Sequence, residues 1–291
     1  MQAQSSLAIA KSPIGSSREV DTYQESQALE FKFSNYKVMH LIGSGANGKC
    51  FVAKKQDADE YIAIKRTKKD IGCYEVECLK QLNPHTNIVR LLGFQDTATS
   101  YYPYNIALEL ADCDLADMIG FFGIDSITLE PDQIAHIFKN IIAGYLYIRE
   151  KDLIDYMDLD DSNTLYFSKD CHFKISDFNN KIKIDTDPER IRSLSYILCK
   201  IASKFSHKCK AIQSANQRAV CKPFCREANL STPLLNKNNW QSVLTRRETE
   251  IILKMFELKT SFDELNEYIL ELEGRSSPFE KPPSLKPMRM I

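Results

Sequence analysis

Short runs of apolar, β-branched and aromatic residues, separated by polar turns, fill the first part of the chain and predict β-strands. The clearest of them leads directly into Gly43. After the third run, residues 73–82 place Val76, Leu79 and Leu82 on one helical face. We therefore expect a small, mostly antiparallel lobe that carries one helix. The predicted strands cover residues 36–42, 50–53, 61–64 and 105–108.

From Pro131 onward the apolar residues recur with the period of a helix, and a proline suits the first helical turn. A final helix is expected to open at Ser261, because Glu264 stands three residues later in the capping-box pattern, and to end near Glu273. Strands followed by helices predict an α+β fold in two lobes. Two further helices are expected between these, at residues 191–205 and 247–258.

The two ends of the chain differ in composition from its centre. Residues 1–33 are rich in Ser, Gln and Ala, and residues 274–291 contain four prolines, so we expect a disordered leader and a disordered tail. The folded domain is predicted over residues 34–273. Its small lobe should cover residues 34–111 and its larger, mostly helical lobe residues 112–273.

Charge and composition narrow the classes of partner and compartment. The formal net charge is −1, which gives no electrostatic reason to bind nucleic acid or a membrane surface. The longest apolar stretches are far below the roughly 20 residues that span a bilayer. Nine cysteines, an odd number, without a secretory signal predict a reducing compartment. We expect a cytoplasmic protein, with the nucleus as the second choice.

Candidate chemistry lies in a glycine-rich turn and in five polar residues that follow it along the chain. The turn runs from Gly43 to Gly48 between two predicted strands. Glycines let backbone N–H groups approach phosphates, a lysine can pair with those phosphates, and a glutamate can hold the lysine. An asparagine and an aspartate can carry Mg²⁺. The five residues, in chain order, are Lys65, Glu75, Asp158, Asn163 and Asp177.

Each of these signals also has a purely structural interpretation. A glycine pattern of this kind in a surface hairpin is often only a turn. Lys65 by itself would usually be a solvated strand lysine, although strand alternation could turn it inward with Ala63, where Glu75 would offset the cost of burial. The acidic loop from Asp158 to Asn163 could be a polar turn. We favour phosphate chemistry because all the parts occur in a workable order.

Several segments resemble the protein kinase family. They are Tyr61-Ile62-Ala63-Ile64-Lys65-Arg66, residues 87–93, and Tyr156-Met157-Asp158-Leu159, which is similar to the kinase catalytic loop. Within that family the chain looks like the kinase-like domain of ribonuclease L and of the unfolded-protein-response sensor ribonucleases. This narrower resemblance depends on residues 106–110, on residues 156–159 and on Asp177-Phe178-Asn179-Asn180-Lys181-Ile182-Lys183, which Asp187-Pro188 follows closely.

The resemblance implies an ATP site with Mg²⁺. Asp158 would be the catalytic base, and Lys65 with Glu75 would complete the catalytic set. Asn163 and Asp177 would hold the metal. Leu165 would form the floor under the adenine, and the backbone at Glu109 and Ala111 would meet its edge. The remaining residues implied to contact the nucleotide are Gly43, Gly45, Gly48, Ala63 and Lys65.

Departures from the kinase pattern argue against efficient phosphorylation of a peptide. Tyr156 and Met157 replace the His and Arg that normally brace the loop, and Asp160 stands where active kinases usually carry a lysine. An anion there opposes stabilisation of the transferred phosphoryl group. Only about a dozen residues follow Asp177 before the next predicted helix, so a usual activation segment has no room. Asn179 and Arg190 are further substitutions.

We therefore expect a nucleotide-sensing pseudokinase that binds ATP with Mg²⁺. We expect it to form a homodimer or to bind a protein partner. A working Ser/Thr kinase with an atypical activation segment is the alternative, since the five polar residues remain. A nucleotide-free scaffold is the third hypothesis. In ribonuclease L, ankyrin repeats precede the kinase-like domain and a ribonuclease domain follows it. The ends of this chain are too short for either, so we do not expect it to cleave RNA.

Overall fold

A computed structural model describes part of the chain. It leaves out residues 1–30, Asp158, Asn179, Arg190 and most of the tail from Gly274, so most of the predicted disordered leader and tail lies outside the described residues. Apart from Phe31, the described residues belong to one compact unit. They are residues 31–45, 47–97, 103–118, 130–153, 159–178, 191, 194–198, 201, 244–256, 259–276 and 278.

A five-stranded antiparallel sheet forms the small lobe, in the order β1-β2-β3-β5-β4. The four predicted strands are confirmed, while β4 was not predicted. A register irregularity between Leu91 and Gly93 interrupts its alternation, which hides it in the sequence. The strands are β1 (Tyr36–Gly45), β2 (Gly48–Lys55), β3 (Tyr61–Thr67), β4 (Leu91–Asp96) and β5 (Tyr104–Glu109).

One helix, α1 (Lys69–Leu82), packs beside β4 and β5 in this lobe. It begins four residues before the predicted start, because Ile71 is the one large apolar residue in its first turn and a single residue shows no helical period. Val76, Leu79 and Leu82 are buried, as their spacing predicts. At Gly72 a Cβ atom would lie 2.3 Å from the ring of Tyr104, so the glycine allows the helix to approach β5 closely.

Three helices with described bounds form much of the larger lobe: α2 (Pro131–Glu150), α3 (Arg246–Phe256) and α4 (Phe262–Glu273). Pro131 lies in the first turn of α2, as predicted. The capping box before α4 is also confirmed, since the Ser261 hydroxyl accepts from Glu264 N–H at 3.2 Å and the Glu264 carboxylate accepts from Ser261 N–H at 3.1 Å. Of the helix predicted at residues 191–205, the described positions are helical.

A second, three-stranded sheet was not predicted. It consists of β6 (Cys113–Asp114), β7 (Thr164–Phe167) and β8 (His172–Ile175) in antiparallel order. The segment that precedes β4 runs along β8: Val89 N–H donates to Ile175 O at 3.0 Å, and Ile175 N–H donates to Asn87 O at 2.9 Å. These bonds join the two lobes next to Asp177.

The main core lies in the larger lobe, where α2 packs against β8 and α4. Ile137, Phe138 and Ile141 of α2 are fully buried there, together with Phe173 of β8 and Leu265 of α4. No helix in the described parts of the chain is both long enough and apolar enough to cross a bilayer. The fold is therefore α+β with two lobes, and the crevice between its two sheets positions the candidate site.

Candidate functional site

One cavity of about 420 Å³ lies between the two sheets. It is lined by every described residue that the sequence analysis placed at the nucleotide site, while Asp158 lies outside the described residues. Residues from the end of β1 and the start of β2 line it on one side, and residues around β7 and β8 on the other. The predicted residues in its lining are Gly43, Gly45, Gly48, Ala63, Lys65, Glu75, Glu109, Ala111, Asn163, Leu165 and Asp177.

The glycine-rich turn joins β1 to β2, with Gly45 opposite Gly48 in the register. Two features hold the turn against β3. The buried Thr67 hydroxyl donates to Asn47 O at 2.5 Å, and a Cβ atom at Gly48 would lie only 2.2 Å from Arg66 O. Only glycine permits this approach, which holds the turn beside the cavity that it lines.

Lys65 is the centre of the charged cluster in the cavity. Its ammonium lies 2.7 Å from Glu75 Oε2 of α1 and 3.1 Å from Asp177 Oδ1. The side chains of Lys65 and Glu75 are 14% and 1% exposed, whereas that of Asp177 is 29% exposed and faces the cavity. The predicted pair of Lys65 with Glu75 is therefore present, and the lysine also reaches the predicted metal ligand.

The electrostatics of the cluster keep the lysine charged. Burial by itself lowers the pKa of Lys65, but the negative charges of Glu75 and Asp177 outweigh it and hold this pKa above its ordinary value. A buried cation held between two carboxylates can exchange one of them for phosphate oxygens without being left unpaired. The arrangement is therefore suited to an anionic ligand.

Asp177 is fixed by its neighbours on both sides. Ser176 donates to Asn163 O through its N–H and through its hydroxyl, both at 2.9 Å, which brings the two predicted metal ligands together. Phe178 is fully buried. Asp177 itself has φ of 64°, a backbone region that non-glycine residues rarely adopt and that occurs often at functional sites.

Apolar side chains also line the cavity and suit a flat ring. Ala63 of β3, Leu165 of β7 and Ala111 lie there with Glu109, which ends β5. Cys50, which stands opposite Lys65 in the register of β2 and β3, also lines the cavity. Burial raises the pKa of its thiol to about 11, so it is neutral at physiological pH.

Asp114 is a cavity residue that the sequence analysis missed. It lies on β6 opposite Leu165, and its carboxylate accepts from Asp117 N–H at 2.6 Å. Burial, reinforced by the charge of Asp117, raises its pKa. A carboxylate here can accept hydrogen bonds from hydroxyl groups of a ligand. No local sequence pattern predicts that Asp114 lines the cavity, because β6 has only two residues and was not predicted as a strand.

Asp160, which replaces a lysine of active kinases, is not among the cavity-lining residues in the described part of the chain. Its carboxylate accepts from Asp161 N–H at 2.5 Å and caps the short 3₁₀ turn Asp161–Asn163. Its carbonyl accepts from the Thr164 hydroxyl at 2.9 Å. The residue therefore shapes the turn that carries Asn163, and it supplies no cation to the cavity.

Comparisons with known proteins agree with this geometry. A family profile described as "Protein kinase domain" matches residues 36–197. The chain is 27% identical to Serine/threonine-protein kinase PLK4 of Drosophila yakuba over 195 residues, which is 62% of this chain and 24% of that protein. It is 28% identical to Serine/threonine-protein kinase polo of Drosophila melanogaster over 185 residues, 59% of this chain and 31% of that protein.

A plant protein is similar to the same extent. Cyclin-dependent kinase F-3 of Oryza sativa subsp. japonica is 27% identical over 160 residues, which is 53% of this chain and 35% of the relative. The matched part of the chain thus spans about a quarter to about a third of the length of these curated relatives. The narrower likeness to ribonuclease L is not among the resemblances that these matches show.

Proposed function

Because the chain belongs to the protein kinase family, we propose that its cavity binds ATP with Mg²⁺ and that the domain works chiefly as a nucleotide-sensing pseudokinase. The observation that carries the proposal is the cluster of Lys65, Glu75 and Asp177, which joins β3, α1 and the segment after β8 within one cavity. A cluster that links three elements can report on occupancy, because a ligand changes the contacts of all three.

The residues present fit a magnesium nucleotide. Lys65 would bind phosphate oxygens, and the backbone of the glycine-rich turn would surround them. Asn163 and Asp177 would hold the metal, because their side chains offer the oxygen ligands that Mg²⁺ prefers. The bound metal would neutralise charge on the phosphates. Ala63 and Leu165 would cover the faces of the adenine.

Weak phosphotransfer is proposed from the catalytic loop and from the residues that follow Asp177. Asp160 contributes an anion to the loop and no cation to the cavity. Few residues separate Asp177 from the helical residue Ile191, so little chain is available to hold a peptide in line with the γ-phosphate. Positioning is most of phosphoryl-transfer catalysis, and its loss should reduce the rate far more than nucleotide affinity.

An active Ser/Thr kinase is the second candidate, and a specific observation favours it. The ion pair between Lys65 and Glu75 is formed, and Lys65 also contacts Asp177. Transfer in protein kinases requires this lysine–glutamate pair and an aspartate that holds Mg²⁺, which is the role proposed for Asp177. The relatives named above are described as kinases, which adds weight to this candidate.

We also propose, from the resemblance to ribonuclease L alone, that nucleotide binding promotes a homodimer. Sedimentation velocity with and without ATP and Mg²⁺ tests this. A shift of the main species from monomer to dimer on adding nucleotide is expected. An unchanged monomer at saturating nucleotide would remove dimerisation from the proposal and leave nucleotide sensing intact.

Thermal unfolding tests nucleotide binding. At an ATP concentration about 100 times Kd, with Mg²⁺, binding should stabilise the fold by about 2.7 kcal/mol. In Asp177→Asn, adding Mg²⁺ should no longer increase the stabilisation that ATP provides. Lys65→Met should weaken ATP binding by about tenfold or more. Lys54→Met is the matched control, because Lys54 pairs with the exposed Asp59 away from the cavity. No stabilisation of the unmutated chain would favour the nucleotide-free scaffold.

Phosphotransfer is tested separately with ATP labelled at the γ-phosphate. We expect little transfer to added protein substrates, and an Asp158→Asn variant that binds ATP as the unmutated chain does. Robust transfer that disappears in Asp158→Asn would replace the pseudokinase with the active kinase. If the Asp158→Asn variant still transferred label to the substrate, a contaminating kinase would be indicated. Repeating the assay with the variant and the unmutated chain purified in parallel would identify such a contaminant.

A further inference from the structure

We infer that Lys174 and Glu109 form a positioning ion pair that fixes the base-binding edge of the cavity and thereby sets its preference for adenine over other purines. This inference extends the proposed nucleotide function and depends on it. Neither side chain was singled out for this contact in the sequence, because they are 65 residues apart and belong to different sheets.

The carboxylate of Glu109 is held by two donors. Its Oε1 atom accepts from Lys174 Nζ at 2.7 Å and from Arg90 N–H at 2.7 Å. The backbone of Glu109 is tied to the same neighbour, since its own N–H donates to Arg90 O at 3.1 Å. Both the main chain and the side chain of Glu109 are therefore anchored where β5 ends.

Both charged groups are mostly shielded from water, with side-chain exposures of 11% for Lys174 and 14% for Glu109. The ammonium of Lys174 also lies 4.4 Å from the centre of the Phe167 ring, which adds a cation–π contact. A shielded pair of this kind adds little net stability over apolar residues, yet it fixes geometry, because separating the charges inside the protein is costly. The pair is thus suited to fixing the position of the cavity edge and less to stabilising the fold.

The position of Lys174 couples the base edge to the rest of the cavity. It stands directly opposite Leu165 in the register of β7 and β8, and it lies three residues before Asp177 on the chain. Two ion pairs thus connect the large sheet to β8 and the residues after it: Lys65 with Asp177 in the charged cluster, and Glu109 with Lys174 where β5 ends. The pair of Glu109 with Lys174 does not contact the proposed phosphate site. It fixes the position of the backbone that would contact the adenine ring.

Selection of adenine follows from hydrogen-bond chemistry at this edge. Adenine carries an amino group, a donor, where hypoxanthine carries a carbonyl, an acceptor. A backbone carbonyl held at Glu109 would accept from the amino group and repel the carbonyl, and the difference depends on how firmly that carbonyl is positioned. Without the ion pair, the end of β5 can shift and the discrimination decreases.

Calorimetric titration with adenosine and with inosine tests this, because neither ligand carries phosphate or needs metal. The chain should bind adenosine more tightly than inosine. Lys174→Met keeps the aliphatic stem and removes the charge, and it should weaken adenosine binding by about five- to tenfold with a much smaller effect on inosine. Glu109→Gln keeps an acceptor for Arg90 N–H and removes the charge. It should also reduce the preference for adenosine over inosine.

Lys55→Met is the control, since it breaks the exposed pair of Lys55 with Glu60 on the same large sheet; its ratio of the two Kd values should equal that of the unmutated chain. Melting curves without ligand confirm that each variant is folded. Equal weakening of both ligands in Lys174→Met and Glu109→Gln, or an unchanged ratio, overturns the inference while adenosine binding by the unmutated chain upholds the proposed function. Failure of the unmutated chain to bind adenosine overturns both.

Discussion

Gly45 and Gly48 lie opposite each other at the turn between β1 and β2, but their surroundings differ. A Cβ atom at Gly48 would lie 2.2 Å from Arg66 O, whereas one at Gly45 would meet no atom within 4 Å. Gly48→Ala must therefore move β2 away from β3 and should lower the free energy of unfolding by about 2 kcal/mol or more. It should also weaken ATP binding, since the turn shifts with β2. Urea unfolding and ATP titration measure the two effects.

The control is built into the same turn. Gly45→Ala should change the free energy of unfolding by less than about 0.5 kcal/mol, because the added methyl group enters open space. Equal stabilities of the two variants would show that the close approach of β2 to β3 does not require glycine. Loss of stability at Gly45 alone would mean that the backbone conformation of the turn, and not the contact with Arg66, selects glycine.

At the scale of elements, Asn140 of α2 joins the helix to both lobes. Its Oδ1 atom accepts from Asn87 Nδ2 at 2.6 Å and from Phe173 N–H at 3.2 Å, and its own amide donates to His136 O at 2.7 Å. Asn140→Ala leaves the buried Phe173 N–H without this acceptor and should cost about 2–3 kcal/mol of unfolding free energy. Chemical denaturation measures it.

The exposed Asn266 of α4 provides the comparison, and Asn266→Ala should change stability by less than about 0.5 kcal/mol. Since Asn87 also accepts from Ile175 N–H two residues before Asp177, Asn140→Ala should additionally raise the Kd for ATP with Mg²⁺. Stability lost without any change in this Kd would show that the joint supports the fold and not the metal ligand.

Elements with a regular period could be predicted, and short or irregular ones could not. The strands around Lys65 and the helices at Pro131 and Ser261 carry local signals that the structure confirms. The strand β4 has an irregular register, and β6 has two residues, so neither shows a period. The three-stranded sheet depends on pairing across about 50 residues, which no local pattern contains.

The same distinction applies to the site. Most of its residues were predicted because family resemblance assigns roles to positions in chain order, and the cavity brings the described ones together. Asp114 and the contact between Glu109 and Lys174 were not predicted, because they arise from packing between distant segments. The capping role of Asp160 was missed for the same reason, since only the folded turn shows where its carboxylate points.

For the whole molecule, three histidines make stability depend on pH. Burial lowers the pKa of His85, His136 and His172 below the ordinary value of 6.5. The nearby charges of His172 and Lys139 lower the pKa of His136 further, although its bond to Cys171 O opposes this. Below pH 6.5 the unfolded chain therefore binds more protons than the folded protein, and unfolding becomes easier as the pH falls.

We expect the melting temperature to fall as the pH decreases from 7.5 to 5.5 at constant ionic strength, because the unfolded chain takes up protons on its histidines across this window, which spans their pKa of about 6.5. His136→Gln retains a donor for Cys171 O, which the ring nitrogen reaches at 2.7 Å, and removes the titration, so the slope should be shallower. His40→Gln on β1 is the matched substitution away from α2 and β8. A slope that is the same in His136→Gln as in the unmutated chain would assign the pH dependence to other groups.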